Sequence, residues 1–427
     1  MKIAFLSILF PPRFGGIMQS AGNFYTMHEK AFGTPPYLVF TFNPELKWDH
    51  VKNIYRIKYP TLKITARSLS FFIMYMKDTI RLAVSSARGS GVISLVKSVR
   101  WFLNPRNILR PLASCYYADV LLRGKFKPDI IIVMTIRIMG TVAAIAKKIK
   151  NIPVVTICHG EDIINPNLET MFNLKHSDGI ITRTNAIKEL LRSRYDMRHK
   201  RFALIPDAIA EEDYTIEKSK DELRVELQIP EKCFVITSIG NMVPRKNFDN
   251  VIKAVYKLKK SGNIDIKRPI HVYMIGDGEE LVRIKNLANH LHMNDDVSFL
   301  GQLPHSLRNR YLKASDVFIM TPFDMPDSIE GFGIVYIEAS YYEVPSIGSD
   351  SGGVPEAVLD GKTGYIVKQK SAMDLAKRIQ LLYKNEDLRL ELGKNGRERV
   401  LAELMAPSIF DKYTHFLRFF IKEHHNH

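Results

Sequence analysis

Between Glu330 and Glu338 the chain reads Glu-Gly-Phe-Gly-Ile-Val-Tyr-Ile-Glu, two carboxylates eight positions apart with glycines behind the first. These nine residues say more about function than any others in the chain. Gly331 and Gly333 predict a loop. The apolar residues Ile334, Val335, Ile337, Ala339 and Tyr341 predict a buried helix after it, whose first amides lack partners within the helix. Such a start attracts phosphate. Glu338 is the only charge between Gly331 and Tyr342. Burying even a neutral polar group without a partner costs roughly 2–7 kcal/mol, so this carboxylate requires a designated partner. Glu330, held beside the glycines, faces whatever lies just beyond the phosphate. A glycine-punctuated turn before an amphipathic helix is the competing account of the same letters.

Cations that would meet the phosphate stand in Gly-Asn-Met-Val-Pro-Arg-Lys-Asn, Gly240 to Asn247, directly after the apolar run Cys233–Ile239. If that run is a buried strand, its loop carries Arg245 and Lys246 to the sheet's carboxyl edge, where two positive charges neutralise a diphosphate. A solvated Arg-Lys pair is the plainer alternative. His159, in His-Gly-Glu-Asp, follows the apolar run Pro153–Cys158 and occupies the equivalent place earlier in the chain. Gly15 and Gly16, in Pro-Pro-Arg-Phe-Gly-Gly after the first apolar run, permit close backbone approach to a ligand, or form a plain turn. No Asp-x-Asp pair occurs, so no metal is expected, and cationic side chains with the helix start at Gly333 take the metal's part.

The elements needed to position these residues are legible as alternating strand-like and helix-like runs, the pattern of a mostly parallel sheet covered by helices. One series includes Lys2–Leu6, Asp129–Thr135, Pro153–Cys158, Gly179–Arg183 and Phe202–Pro206, with helical runs at Ile138–Ile149 and Asn185–Arg194. The polar stretch Glu211–Asp221 reads as a surface connection. A second series runs through Cys233–Ile239, Ile270–Ile275, Val317–Thr321 and Pro345–Gly348, with helices near Phe248–Lys260, Glu279–Leu291, Ala372–Tyr383 and Leu388–Leu401. The expected fold class is α/β, two Rossmann-like doubly wound domains facing across a cleft, with ligands at the carboxyl ends of the strands. Ser408–Ile421 predicts a final amphipathic helix.

Composition is consistent with that division, since 427 residues accommodate two domains of about 200 each. Cys115, Cys158 and Cys233 are odd in number and far apart, which indicates neither a disulfide framework nor a zinc site and favours a reducing cytoplasm. The opening apolar run is too short for a signal peptide, and no run approaches the ~20 residues of a membrane span. Net charge is +16, unevenly spread. Residues 51–127 carry fifteen Lys or Arg against Asp78 and Asp119, a net +13, interleaved with ten aromatic residues that include Phe71, Phe72, Trp101, Phe102, Tyr116 and Tyr117. Such a stretch predicts docking on an anionic membrane surface. A basic groove for an acidic polysaccharide is the alternative.

The paired glutamates and their Glu-Gly-Phe-Gly opening resemble the motif of the retaining GT-B glycosyltransferases of family 4, the group 1 glycosyltransferases. Further matches are Ile-Gly-Asp-Gly-Glu from Ile275, Val-Ser-Phe-Leu-Gly from Val297, Ser-Gly-Gly-Val-Pro-Glu-Ala from Ser351 and Asp-Gly-Lys-Thr-Gly-Tyr from Asp360. The resemblance is continuous from about residue 233 to 368 and patchy before that, and residues 51–127 match nothing in it. It implies a domain division of 1–210 for the acceptor, 211–405 for the nucleotide sugar, and 406–427 for a helix returning to the first domain. It implies a nucleoside diphosphate sugar as donor and a glycan or lipid-linked acceptor. Glu330 would hold sugar hydroxyls, Glu338 the ribose, and His159 the transferred sugar. Lys246 matches the family's lysine, whereas Asn241 replaces its arginine, a charge that Arg245 is inferred to supply. Gly15, Gly16, Gly240, Gly276, Val297, Leu300, Gly331, Phe332, Gly333 and Ile334 complete the expected donor site, the region from Val297 lying near the base. Met325 to Tyr336 is similar to bacterial members that glycosylate lipids and envelope polysaccharides. The implied place is the cytoplasmic face of the cell membrane.

Two rivals remain at this stage. A GT-B phosphorylase or epimerase shares the fold. A nucleic-acid- or polyanion-binding protein would account for a pI near 9.5. Against the second, there is no zinc-finger spacing or RNA-binding aromatic signature, and the paired glutamates would be unexplained.

Overall fold

The computed structural model describes residues 1–7, 16–33, 38–40, 66–90, 106–123, 127–134, 136, 138–160, 162–164, 167–230, 232–262, 265 and 268–425. Contacts divide the chain into two units, Met1–Ile205 with Phe410–His427, and Pro206–Ile409.

The first unit is built on β1 (Ile3–Leu6), β2 (Leu38–Phe40), β3 (Ile130–Val133), β4 (Val154–Cys158), β5 (Gly179–Thr182) and β6 (Arg201–Leu204). They are parallel, in the order β2-β1-β3-β4-β5-β6. β1, β3, β4 and β5 are buried along their whole length, as expected of a parallel sheet covered on both faces, and their sequences are accordingly apolar throughout in β1 and β3 and largely so in β4 and β5, which each hold one threonine. The edge strand β6 is partly exposed. β2 was not foreseen, being only three residues long.

The basic stretch gives a different result from its composition. Its described part consists mainly of the helices Ala66–Ser90 and Arg106–Arg123. Phe71, Cys115, Tyr117 and Leu121 lie in one core cluster with Ala4 and Leu6 of β1 and Ile131 of β3, and Phe72 and Tyr116 pack against it. Tyr75 meets Phe172 edge to face with ring centres 4.8 Å apart. These aromatics are therefore core, because helices covering a sheet must supply its outer layer. Trp101 and Phe102 lie outside the described residues.

The last helix, Ala406–His425, belongs to the first unit from Phe410 onward. Phe410, Tyr413, Leu417 and Phe420 are buried. Phe24 and Phe410 have ring centres 5.6 Å apart, and Arg183, itself buried, donates to the Tyr413 hydroxyl (2.6 Å) and the Ile205 carbonyl (3.0 Å).

The second unit contains β7 (Phe234–Ile239), β8 (Ile270–Ile275), β9 (Val297–Gly301), β10 (Val317–Ile319), β11 (Ser346–Ser349) and β12 (Gly364–Val367), all parallel, in the order β12-β11-β10-β7-β8-β9. The order reverses between β7 and β10, and ligands of doubly wound sheets bind at the carboxyl ends of such a pair. The helix Phe248–Lys260 turns Phe248, Val251, Ile252, Val255 and Leu258 into the core, a spacing of three and four that defines an amphipathic helix. The stretch predicted as a surface connection holds two short helices, Glu211–Tyr214 and Lys220–Glu226. Tyr214 is fully buried, since an aromatic side chain among polar neighbours still finds the core when its short helix packs down.

Candidate donor site

Arg245 and Lys246 come from a 3-10 turn, Pro244–Lys246, and stand five and six residues after Gly240, the residue that follows β7. Arg245 is buried and Lys246 nearly so. Both reach one oxygen, Oε2 of Glu330: Lys246 Nζ donates at 2.6 Å, and Arg245 Nη1 also donates to it. Glu330 is 7% exposed. Burial pushes its carboxyl up, but the Lys246 and Arg245 charges outweigh that and hold it below the usual carboxylate range. The ionised carboxylate and two cations form a cluster of net charge +1.

Backbone and packing place this cluster at the switch of strand order. A Cβ built on Gly240 would stand 3.8 Å from Lys246 Cε and 3.9 Å from Met320 Sδ, while one on Gly333 would stand 3.6 Å from Met320 Cε. Met320, which follows β10, thus touches both the β7 loop and the helix start. Lys246 Nζ lies 3.4 Å from Met320 Sδ, and the Tyr336 hydroxyl donates to the Met320 carbonyl at 2.6 Å. Gly333 has φ 83°, and a side chain there would drive into the Tyr336 ring at 2.6 Å, so the loop-to-helix corner requires glycine. The helix it opens is Ile334–Tyr341. Its first-turn amides and the two cations all favour negative charge.

Several residues of the site escaped sequence reasoning. The Gly353 amide donates to the Glu330 carbonyl at 2.9 Å, and a Cβ on Gly352 (φ 48°) would come within 2.2 Å of that oxygen. The Ser-Gly-Gly turn therefore seats Glu330, a role its motif signalled only as family likeness. Glu338 has the partners that its isolation demanded, Arg308 and Tyr214. Arg308 Nη2 donates to Glu338 Oε1 at 2.9 Å and the Tyr214 hydroxyl donates to the same oxygen at 2.6 Å. They lie 30 and 124 positions away, too far for any local pattern to name them.

The remaining expected donor residues divide by burial. Gly331, Gly333 and Leu300 are part-exposed, as is Gly240. Gly276 backs onto Gly240, whose carbonyl a Cβ at 276 would meet at 1.9 Å. Phe332 and Ile334 belong to the hydrophobic cluster under the site. Val297 is a core residue, packed in the cluster with Val272, Ile284 and Met293, so its side chain is committed to the sheet's interior. Asn241 is exposed.

In the first unit, His159 follows β4 and is part-buried. Its amide and that of Gly160 both donate to Asp162 Oδ1, at 3.1 and 3.0 Å, which shapes the turn, and its Nε2 lies 3.0 Å from Met134 Sδ. Burial, then the Arg183 charge, hold the imidazole pKa well below its ordinary value, so the ring is neutral near pH 7. Gly16 is the first residue of the helix Gly16–Phe32, and Gly15 lies outside the described residues. Among the described residues no group of His, Cys, Asp or Glu side chains is arranged to hold a metal ion. No described helix is long and apolar enough to cross a membrane.

Comparison with known proteins agrees with this geometry. The family model "Glycosyl transferases group 1" matches residues 219–399 and "Glycosyltransferase Family 4" matches residues 80–213. The second takes in the later part of the basic stretch, which sequence motifs alone had not placed. The chain is 28% identical to N-acetyl-alpha-D-glucosaminyl L-malate synthase of Bacillus anthracis, over 62% of this chain and 67% of that one. It is 30% identical to GDP-mannose-dependent alpha-(1-6)-phosphatidylinositol monomannoside mannosyltransferase of Mycobacterium tuberculosis, over 47% of this chain and about half (51%) of the relative's length. Anabaena HepE, solved in complex with UDP and glucose, shares the fold with TM-score 0.70 and 17% identity, covering 98% of this chain and 99% of HepE.

Proposed function

The chain belongs to the group 1 glycosyltransferases of GT-B fold, and on that premise we propose that it moves a hexose from a nucleoside diphosphate sugar to a hydroxyl of a glycan or glycolipid, with retention of configuration and without a metal. The observation that carries this reading is the joint claim of Lys246 and Arg245 on Glu330. One buried oxygen gathers two cations beside a helix start, so negative charge is what this place in the fold is built to hold. In transfer, the bond between the sugar's C1 and the diphosphate oxygen breaks, and the acceptor oxygen bonds to C1 on the same face. The acceptor's proton passes to the departing diphosphate. Lys246, Arg245 and the amides near Gly331–Gly333 meet the charge that grows on that leaving group. Glu330 takes sugar hydroxyls, Glu338 the ribose, and His159, neutral and able to share hydrogen bonds, the transferred sugar.

The name of the mycobacterial relative, a phosphatidylinositol monomannoside mannosyltransferase, supports a glycolipid acceptor, and a membrane surface is the place where such acceptors are presented. The helix Ala66–Ser90 supports docking there through its outer face, where Leu69, Ile73 and Ile80 are 46%, 60% and 48% exposed beside the exposed Lys77 and Arg81. This aliphatic and basic face replaces the aromatics, now assigned to the core, as the docking element.

Incubation with UDP-, GDP- and ADP-sugars tests the reading: one of them should release its nucleoside diphosphate, faster with acceptor, with EDTA leaving the rate intact. Loss on chelation restored by Mn²⁺ or Mg²⁺ contradicts metal independence, and an inverted anomeric signal in the product contradicts retention. Sedimentation with anionic vesicles, weakening as salt rises, tests docking; equal binding to neutral vesicles, or none to either, refutes it.

A further inference from the structure

The oxygen on which Lys246 and Arg245 meet is held in place by backbone as well as by charge. Arg245 and Glu330 stand 85 positions apart on separate loops, so their meeting depends on how those two loops are fixed. On one side the Phe323 amide donates to the Arg245 carbonyl at 3.0 Å. On the other the Gly353 amide donates to the Glu330 carbonyl at 2.9 Å. Both links lead to one exposed residue, Asp324. It follows Phe323 in the chain, and its Oδ1 accepts the Ser351 hydroxyl at 2.7 Å, at the head of the turn that contains Gly353.

Asp324 is in turn gripped by Gln369, the second residue after β12. Gln369 Oε1 accepts the Asp324 amide at 2.8 Å, and its Nε2 donates to Asp324 Oδ2 at 3.2 Å and to the Asp350 carbonyl at 3.0 Å. Its own backbone amide donates to Asp350 Oδ1 at 2.9 Å. The oxygen and both donors of the side-chain amide are thus committed to two residues. The chain then turns at once: Lys370 is left-handed, with φ 58°, a conformation that strains a residue other than glycine, and its Nζ lies 3.8 Å from the centre of the Phe323 ring. From the opposite side Asn247, also left-handed with φ 56°, donates through Nδ2 to the Thr321 carbonyl at 3.0 Å. Residues 321–324 are therefore clasped between the cationic turn and the exit of β12. Strained backbone at both contacts persists only where the surroundings enforce it.

We propose that Gln369, acting through Asp324, is a positioning residue for the transfer: the pair sets the spacing between the loop of Arg245 and Lys246 and the loop of Glu330, and so holds the two cations where charge develops on the departing diphosphate. The inference rests on the proposed donor site and adds to it a pair that works by way of backbone rather than by touching the donor. Hydrogen bonds this close to solvent contribute little to folding, because water replaces them when they are lost. Placement of preorganised charge is far more sensitive, since a shift of about 1 Å can cost on the order of a hundredfold in rate. Loss of Gln369 should accordingly lower the rate out of proportion to stability.

The test is steady-state release of nucleoside diphosphate by the purified full chain, using whichever of the UDP-, GDP- and ADP-sugars is turned over fastest. Gln369→Ala should lower kcat at least about tenfold and leave KM for the donor nearly unchanged, since the cations act most on charge that grows in the transition state. Ser371→Ala, two residues on, removes the cap of the helix Ala372–Lys384, where the Asp374 amide donates to Ser371 Oγ at 3.2 Å. It loses stability but should keep wild-type kcat. Gln369→Glu keeps the shape of the side chain while presenting a carboxylate to Asp324 Oδ2, and should lose rate as Gln369→Ala does. Adding Asp324→Asn restores a donor facing an acceptor, so the loss in the double variant should be about tenfold smaller than the product of the two single losses, the sign of a direct pair. This cycle is decisive if Gln369→Ala does not fold. Wild-type kcat in the Gln369 variants, an equal loss in Ser371→Ala, or losses that simply multiply in the cycle overturns the proposal and leaves the donor site standing. If wild type releases no nucleoside diphosphate from any of the three kinds of donor, the donor-site reading itself falls, and the proposal with it.

Discussion

Glu330 in the second unit and His159 in the first are both enclosed by protein, and burial opposes charge on each, yet they end in opposite states. Glu330 keeps its charge because Lys246 and Arg245 offset the loss of water. His159 stays neutral because burial lowers its pKa and the Arg183 charge adds to that effect instead of opposing it. Burial acts against charge on both, and a partner of opposite sign reverses the outcome only for Glu330. A charged residue among cations suits contact with a phosphorylated ligand, whereas a neutral imidazole offers hydrogen bonds without drawing in an anion.

Removing one member of each site should separate them most clearly. Glu330→Ala leaves Arg245 and Lys246 facing each other without their shared counter-ion, and breaking a buried pair costs about 3–5 kcal/mol. His159→Gln uncovers no charge and should cost less than about 1.5 kcal/mol, the worth of one neutral hydrogen bond. Denaturant unfolding of the two variants measures the gap, and equal losses would break the comparison.

The next effect is on rate. Lys246→Ala should lower turnover of the donor by at least an order of magnitude with the fold retained, since loss of one preorganised donor commonly raises the barrier by about 2.7–4 kcal/mol. Wild-type turnover in the purified variant removes Lys246 from the chemistry.

The contrast also has a pH signature. Below its ordinary value of 6.5, His159 takes up a proton in the unfolded chain but not in the folded one, so stability falls as pH drops from there. Glu330 has a lowered folded value, so its contribution is present above its ordinary 4.5 and is lost as pH falls through the folded value. Stability measured from pH 7 downward should therefore decline in two windows. His159→Gln should flatten only the upper one, by at most about 1.4 kcal/mol per pH unit, and Glu330→Gln only the lower. A single window that both variants flatten would mean the groups are not the independent opposites described.

The smallest expected effect sets a floor. Ser219 caps the helix Lys220–Glu226, accepting from the Glu222 amide while Glu222 accepts the Ser219 amide at 2.7 Å. Ser219→Ala should cost about 1 kcal/mol in thermal unfolding and leave both pH windows and the rate unchanged. A change in either would mean that loss of stability alone accounts for part of what the site variants show.

The periodic elements and the short-range chemistry follow from local sequence alone. Apolar runs such as Ile3–Leu6 and Ile130–Val133 specify buried parallel strands, and Gly-Phe-Gly before the largely apolar stretch Ile334–Tyr341 specifies a loop and a helix start, because these depend only on neighbours within a turn or two. The loop after β7 likewise placed Lys246 and Arg245 together. Tertiary structure decided which carboxylate each cation serves, that Val297 packs inward, that Tyr214 leaves a polar stretch for the core, and that Phe71, Tyr75 and Tyr117 stabilise a sheet rather than face outward. Partners such as Arg308 and Glu338, 30 positions apart, meet only when two helices pack on one sheet. Burial and charge pairing are properties of that packing, and no spacing along the chain encodes them.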